Sequence, residues 1–318
     1  MKKDSILVAV PCYNEEAVLT QFIETFDGIY MELRTDYDLT LLFVDDGSED
    51  STVEIIKKAS EKYQYIRFIQ LAKNVGHQSA LRAAFDVSEG YSAVITLDAD
   101  LQHPPSYIPT MIEEWQESGA NIVQMLRRDS SKTAGTVKYY TSKLYYKIIN
   151  YLSGLKIEYG ASDFRLIDEK IASEVAKSPE KHLFLRGYFS WVPAKRVSIQ
   201  YKPSQRVAGS SKYTFKKMLT LAKEGVLQFS EKPLRLVINL GVWIAILSFV
   251  YGIYLIVAHF FGTASVSGWA SIMVLILFCF GINFILIGLV GRYLTHSISI
   301  QKKRPEYIIA QNTLLTKN

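Results

Sequence analysis

The sequence lacks most of the landmarks by which a cofactor or a disulfide framework is recognised. Only two cysteines occur in 318 residues, Cys12 near the start and Cys279 inside an apolar run. They are not placed to pair, and a reducing compartment is the simpler reading. The five histidines show no metal-ligand spacing; His77, His103 and His182 read as hydrogen-bonded structural residues. The first apolar run leads into PCYNEEAV, which has no glycine, so the G-x-G-x-x-G fingerprint of dinucleotide binding is missing. The G-x-x-x-x-G-K-[ST] loop of P-loop NTPases is missing too. A formal net charge of +5, with no arginine-rich run interleaved with aromatics, gives no support for a nucleic-acid partner. The basic start MKKDSILVAV runs straight into PCYNEE, too short an apolar segment for a secretory signal peptide. The N-terminal part is therefore expected in the cytoplasm.

Charge is also scarce: charged residues make up 21% of the chain and hydrophobic ones 49%, a low charged fraction for a wholly soluble protein. The shortfall is concentrated after about residue 232. Leu234 to about Ala258 contains Arg235 as its only charge, and Trp269 to about Val290 contains none. Each reaches the roughly 20 residues that cross a bilayer core as a helix. The connecting HFFGTASVSG has no Lys or Arg, whereas Lys232, Arg235, Arg292, Lys302, Lys303 and Arg304 flank the outer ends. The positive-inside bias then puts both termini in the cytoplasm and the short loop outside, as expected for a multi-pass protein of the plasma (inner) membrane. A pair of buried helices in a large soluble protein is the alternative; the lengths and matching charge flanks favour the membrane hairpin.

What is present in the first half is a rhythm. ILVAV (6–10), LTLLFV (39–44), IRFIQL (66–71), AVITL (93–97) and NIVQM (121–125) read as strands buried on both faces. Helical patterns lie between them, several behind a capping residue such as Asn14 or Asp50. Strand and helix in alternation predict right-handed crossovers and a mostly parallel α/β sheet. PCYNEE, DDGSED, KNVGHQ and DADLQH each follow a strand, so all four gather at the carboxyl edge, where open α/β sheets bind ligands.

Within DADLQHPP, Asp98 and Asp100 stand two apart, and His103-Pro104-Pro105 predicts a turn that brings them together. Hard oxygen ligands of this kind suit Mg2+ or Mn2+, held by one or two carboxylates while substrate phosphates complete the shell. The bland reading is a solvated acidic turn ahead of the next helix.

The ordered motifs VAVPCYNEE, FVDDGSEDST, NVGHQSALRAAF, LDADLQHPP, GASDFRLIDEK, LFLRGYFSWV and RVAGSSKYTFKKML, spanning about residues 7 to 219, resemble the family-2 inverting glycosyltransferases of GT-A (Rossmann-like) fold. Among these they are similar to the polyprenyl/dolichyl-phosphate sugar transferases, and the two-helix tail resembles the bacterial undecaprenyl-phosphate glucosyltransferase branch. His77-Gln78 and Val192-Pro193 depart from the pattern of many relatives, which bears on the identity of the sugar.

The resemblance implies that Pro11, Tyr13, Glu15 and Asp46 hold the base and ribose of a nucleotide sugar. It implies a metal site at Asp98 and Asp100 with Gln102, and a carboxylate near the acceptor at Asp163, so that Asp163 and Asp100 are the catalytic candidates. Arg127 or Arg128, Lys138 and Ser142 resemble the group that receives the acceptor lipid phosphate. Arg206, Ser211 and Lys212 resemble a segment that closes on the diphosphate. Set against these roles, Asp163 and Arg165 also read as a structural ion pair, and Lys138 and Ser142 as one face of an amphipathic helix. The same helix, and 213–229, also suit the membrane surface.

The expected layout is a cytoplasmic catalytic domain (1–210), juxtamembrane amphipathic helices (211–232), a transmembrane hairpin (233–292) and a cytoplasmic tail (293–318). The expected activity is transfer of a hexose, preferably glucose from UDP-glucose, to a polyprenyl phosphate with inversion. GDP-mannose and UDP-N-acetylglucosamine remain as other donors, and a membrane-tethered nucleotide-sugar-binding protein is the non-catalytic alternative. A processive synthase would want more membrane helices and a Q-x-x-R-W segment, which is missing. The expected partners are the nucleotide sugar, undecaprenyl phosphate, membrane lipid, a flippase for the product and a second copy of the chain.

Overall fold

The computed structural model describes residues 3–127, 147, 150–181, 183–204, 229–230, 232–261, 268–302 and 304–314. Strands β1 (Asp4–Cys12), β2 (Tyr37–Asp45), β3 (Ile66–Leu71) and β4 (Ala93–Thr96) run parallel in the order β4-β1-β2-β3. They alternate with α1 (Glu16–Leu33), α2 (Thr52–Lys62) and α3 (His77–Asp86), as the apolar runs predict. A 3-10 turn at Pro105–Tyr107 leads into α4 (Ile108–Ser118) and β5 (Ile122–Arg127).

The strands are apolar throughout because both faces are covered. Along β1, Ile6, Val8 and Val10 enter one core with Phe22 and Phe26 of α1, while Leu7 and Ala9 enter the other with Ala80, Ala84 and Phe85 of α3. Alternate side chains point to opposite faces of a strand, and burying each large side chain contributes about 1.5–3 kcal/mol.

Three strands lie outside the sequence-based expectation. β6 (Ala161–Asp168) runs antiparallel between β4 and β5. After α5 (Glu169–Lys177) and α6 (Leu185–Trp191), β7 (Arg196–Tyr201) pairs in parallel with β5 at one edge. β8 (Ile309–Asn312) pairs antiparallel with β3 at the other, giving the order β7-β5-β6-β4-β1-β2-β3-β8. The sheet is mostly parallel, with β6 and β8 as the reversed strands.

The expected caps are also revised. Asn14 takes a left-handed φ of 53° and accepts the Glu49 amide, while α1 starts two residues later. Asp50 accepts from Thr52 N–H and, across the loop, from Glu16 N–H. One carboxylate thus meets the exposed amides at two helix starts, which otherwise lack partners.

The two apolar stretches are the helices α7 (Lys232–Phe260) and α8 (Trp269–Gln301). Each is long and apolar enough to cross a membrane, with windows of mean hydropathy 1.9 at Leu234–Tyr251 and 1.6 at Phe278–Thr295, neither of them buried. Phe249, Phe284 and Ile285 are each 71% exposed, an apolar surface that water does not tolerate at this extent. α8 continues past the expected boundary at residue 292, so the first part of the expected tail is helical. The juxtamembrane segment expected at 211–232 lies outside the described residues through 228. Both cysteines are free, Cys12 buried and Cys279 partly so.

Candidate active site

The chain leaves β1 for β2 and β3 on one side and returns to β4 on the other. That is the arrangement in which a crevice opens at the carboxyl ends of the two central strands. All four polar clusters stand at that edge, just beyond Cys12, Asp45, Leu71 and Thr96. Hydrogen bonds between backbone amides and side chains tie the first three together. Asp46 is 3% exposed, and its two oxygens accept from Val75 N–H (2.8 Å) and Gly76 N–H (2.9 Å). Burial raises its pKa, against the lowering by these two amides. Gly47, at φ +70°, lets this loop approach closely: a Cβ there would stand 2.7 Å from the Lys73 carbonyl carbon. Glu15 donates its amide to Thr52 Oγ1 at 2.9 Å, and Pro11 is buried at the end of β1 beside a partly exposed Tyr13.

The DADLQH turn is built around His103. Its Nδ1 accepts the Asp98 amide at 3.0 Å, and its ring stacks on Phe164 with centroids 5.2 Å apart. The expectation of a structural, hydrogen-bonded histidine holds here. Leu101 takes φ 58°, and Asp100 Oδ1 accepts from Gln102 N–H at 3.1 Å, which folds the chain back. Arg127, at the end of β5, reaches the Gln102 side-chain oxygen at 3.5 Å. The result is two partly exposed carboxylates and an amide oxygen on one short turn. No group of three or more His, Cys, Asp or Glu side chains that could hold a metal occurs among the described residues. The donor set is hard and incomplete, which suits a divalent cation whose remaining ligands come from water and substrate phosphates.

Asp163 lies behind this turn. β6 alternates, so Phe164 and Leu166 join one core while Asp163 and Arg165 face the other, toward α3 and α6. Arg186, in α6, grips Asp163 with two bonds: Nε to Oδ1 at 2.9 Å and Nη2 to Oδ2 at 2.8 Å. Arg165 contributes a longer contact of 3.5 Å and lies over the Phe189 ring. His77 bridges the two carboxylate groups, with Nε2 at 3.4 Å from Asp163 and 3.7 Å from Asp98. Burial pushes Asp163 toward the neutral form, but Arg186, His77 and Arg165 outweigh it and hold the pKa well below the usual range. Desolvation lowers the His77 pKa; the bond to Asp163 and the charge of Asp98 outweigh that and raise it. Burial brings Arg165 down to about 10.

Of the residues singled out in the sequence, Asp98, Asp100, Gln102, Arg127 and Asp163 gather around one turn. Pro11, at the end of β1, and Tyr13, Glu15 and Asp46, on the loops that follow β1 and β2, belong to the same sheet edge. Arg128, Lys138, Ser142, Arg206, Ser211, Lys212 and His182 lie outside the described residues. The Asp163–Arg165 ion pair is present but is the longer of two, and His77 is hydrogen-bonded as expected, between Asp163 and Asp98. Arg186 was not foreseen; its only signal is a lone cation inside the apolar LFLRGYFSWV.

A parallel sheet with a carboxylate-lined crevice at the β1/β4 break, extended by reversed strands, is a GT-A arrangement. The chain belongs to glycosyl transferase family 2, whose model matches residues 7–176, and it is a glycosyltransferase. It is similar to the uncharacterized glycosyltransferase YkcC of Bacillus subtilis (strain 168), with 34% identity over 96% of this chain and 93% of that protein. The prophage bactoprenol glucosyl transferase homolog of Escherichia coli (strain K12) is 36% identical over 96% and 98%. The bactoprenol glucosyl transferase of Shigella phage SfV is 37% identical over 96% and 97%.

Proposed function

We propose that this glycosyltransferase moves glucose from UDP-glucose to a polyprenyl phosphate, inverting the anomeric carbon, at the cytoplasmic face of the membrane. The observation that carries the reading is the union in one chain of the DADLQH carboxylates at the crevice with two exposed apolar helices. Relatives named for bactoprenol glucosyl transfer align along nearly the whole chain, helices included, which supports glucose and a polyprenyl acceptor.

The acceptor supplies its own nucleophile. A phosphate monoester has a second pKa of about 6, so at neutral pH its oxygen is already anionic and needs no strong base. Asp163 suits an electrostatic and orienting part, being buried and held ionised by its cationic neighbours. Asp98 and Asp100, with Gln102, would hold Mg2+ or Mn2+. When bound, that ion would supply Lewis-acid stabilisation of the leaving diphosphate.

Pro11, Tyr13 and Glu15 are assigned to the nucleoside side, with Asp46 shaping that side by holding the 73–76 loop. Arg206 and Lys212 are assigned to closure on the diphosphate, and Arg127, Arg128, Lys138, Ser142 and Ser211 to the acceptor phosphate. Single displacement from an α-linked donor gives a β-linked lipid product. Since that product would form on the cytoplasmic side, a flippase belongs to the same proposal; association with a second copy of the chain is proposed separately.

The test is incubation of the purified protein with undecaprenyl phosphate and a panel of UDP-glucose, UDP-N-acetylglucosamine and GDP-mannose, followed by mass analysis of the lipid. A hexosyl adduct from UDP-glucose alone is expected. An adduct from another donor would replace the sugar assignment, and no adduct from any donor would end the proposal.

A further inference from the structure

The side chains around Asp163 are layered. Asp163 itself keeps 5% of its side-chain surface, whereas Arg186 keeps 24% and His77 36%. A carboxylate has about four lone-pair sites, and four contacts converge here: Arg186 Nε and Arg165 Nη2 on Oδ1, Arg186 Nη2 and His77 Nε2 on Oδ2. A group so enclosed is poorly placed to take a proton from an incoming substrate. It acts as a strut, and the groups that front the crevice at this point are a guanidinium and an imidazole.

Arg186 is mounted rigidly. Leu185, Tyr188 and Phe189 of α6 are buried, and the Leu185 amide donates to the Gln78 side-chain oxygen at 3.2 Å. Gly187 allows the close packing: a Cβ there would meet Phe184 at 2.6 Å and Phe229 at 2.7 Å. His77 and Gln78 thus converge on this corner, His77 on Asp163 and Gln78 on the helix that carries Arg186. Two guanidiniums also share the one carboxylate. Arg165 is 2% exposed, so Arg186 is the one of the two that keeps solvent-accessible surface.

We propose that Arg186, held in place by Asp163, binds a phosphate oxygen of a substrate in this reaction. The geometry is that of a preorganised guanidinium, one edge fixed on a carboxylate and the side chain as a whole reaching the crevice wall across His77 from Asp98. The ligand chemistry is a phosphate ester anion, supplied by the acceptor monophosphate or by the donor diphosphate. The proposal rests on the glycosyl-transfer reading above and adds a residue to it; Asp163 becomes the positioning residue and Arg186 the one that touches substrate.

The test uses the full-length protein in detergent micelles, with Arg186→Gln, Arg186→Lys, Asp163→Asn and the Arg186→Gln/Asp163→Asn double variant. Steady-state transfer is measured against UDP-glucose and against undecaprenyl phosphate, and direct binding of UDP and of undecaprenyl phosphate is measured in parallel. Arg186→Gln is expected to raise KM for one substrate by about tenfold or more while the other stays within about twofold. A shift for undecaprenyl phosphate assigns the acceptor phosphate, and a shift for UDP-glucose assigns the donor diphosphate.

Asp163→Asn should raise the same KM, with the double variant no worse than the more severe single one, as residues acting as one unit are non-additive. Arg186→Lys keeps the charge and should recover part of the loss; if Arg186→Gln does not fold, a shift in the same KM for Arg186→Lys carries the test. A folded Arg186→Gln (or, failing that, Arg186→Lys) with wild-type KM values and affinities overturns the proposal. So does an Asp163→Asn enzyme that loses turnover with both KM values unchanged, the signature of a proton acceptor. A wild-type protein that transfers no sugar overturns the transfer reading instead, because the two binding measurements still report on Arg186.

Discussion

Asp98 and Asp100 share a turn, and His77 and His103 stand beside Asp98. Replacing either carboxylate by alanine removes half of a hard donor pair. Asp98→Ala and Asp100→Ala are expected to reduce transfer by about a hundredfold or more, roughly the loss seen when one preorganised electrostatic contact to the transition state is removed. The unfolding temperature should change little, since both side chains are partly solvated.

Gly47 behaves in the opposite way. Alanine there meets backbone at 2.7 Å and a strained φ, so Gly47→Ala should cost about 1–3 kcal/mol, read as a lowered midpoint in denaturant. His77 adds a pH dependence. Its pKa is raised in the folded state, so its stabilising contribution is complete below the unfolded value of about 6.5. That contribution is lost as pH rises through the folded value. The stability gap between wild type and His77→Gln is therefore expected to be wider at pH 6 than at pH 9 in thermal unfolding.

At the scale of elements, the five apolar strands and their helices were legible because continuous apolar runs of strand length have no other use in a two-faced sheet. β6 was not, because its buried face carries Asp163 and Arg165, and a charged pair breaks the run that identifies a central strand. The same feature makes it functional: the strand that looks least like core delivers the carboxylate to α3 and α6. Half of the site was readable as motifs, and Arg186 was hidden because its partner lies 23 positions away in sequence.

β8 was illegible for a different reason, being four residues with little burial. Its value lies in what it covers. It pairs with β3, Thr313 bonds Phe68, Glu306 bonds Ser79 at 2.5 Å, and Tyr307 bonds Asp86. The tail thus grips α3, the helix that begins with His77. Truncation after Arg304 exposes the β3 edge and frees α3, so a Tm lower by about 4 °C or more is expected in thermal unfolding, with aggregation through the open edge.

In the whole molecule, a sheet with a carboxylate-bearing edge is joined to two exposed apolar helices, each long enough to cross a membrane. Helices apolar all round were legible from composition alone; that α8 runs to Gln301 before the chain returns to the sheet was not. The topology proposed from the charge flanks would put the 259–268 loop on the far side of the membrane from both termini. A cysteine introduced at Thr263 should react with a membrane-impermeant maleimide added outside intact cells, and labelling only after lysis would reverse the topology.

The proposed reaction is metal-assisted transfer of sugar from nucleotide to lipid phosphate. It is tested most directly by supplying the purified protein with UDP-[13C]glucose, undecaprenyl phosphate and Mg2+ or Mn2+, then measuring label in the extracted lipid. Label is expected in the lipid, disappearing with excess EDTA and returning when the metal is restored. Label that stays wholly in the water-soluble fraction, or transfer undiminished in EDTA, would contradict it.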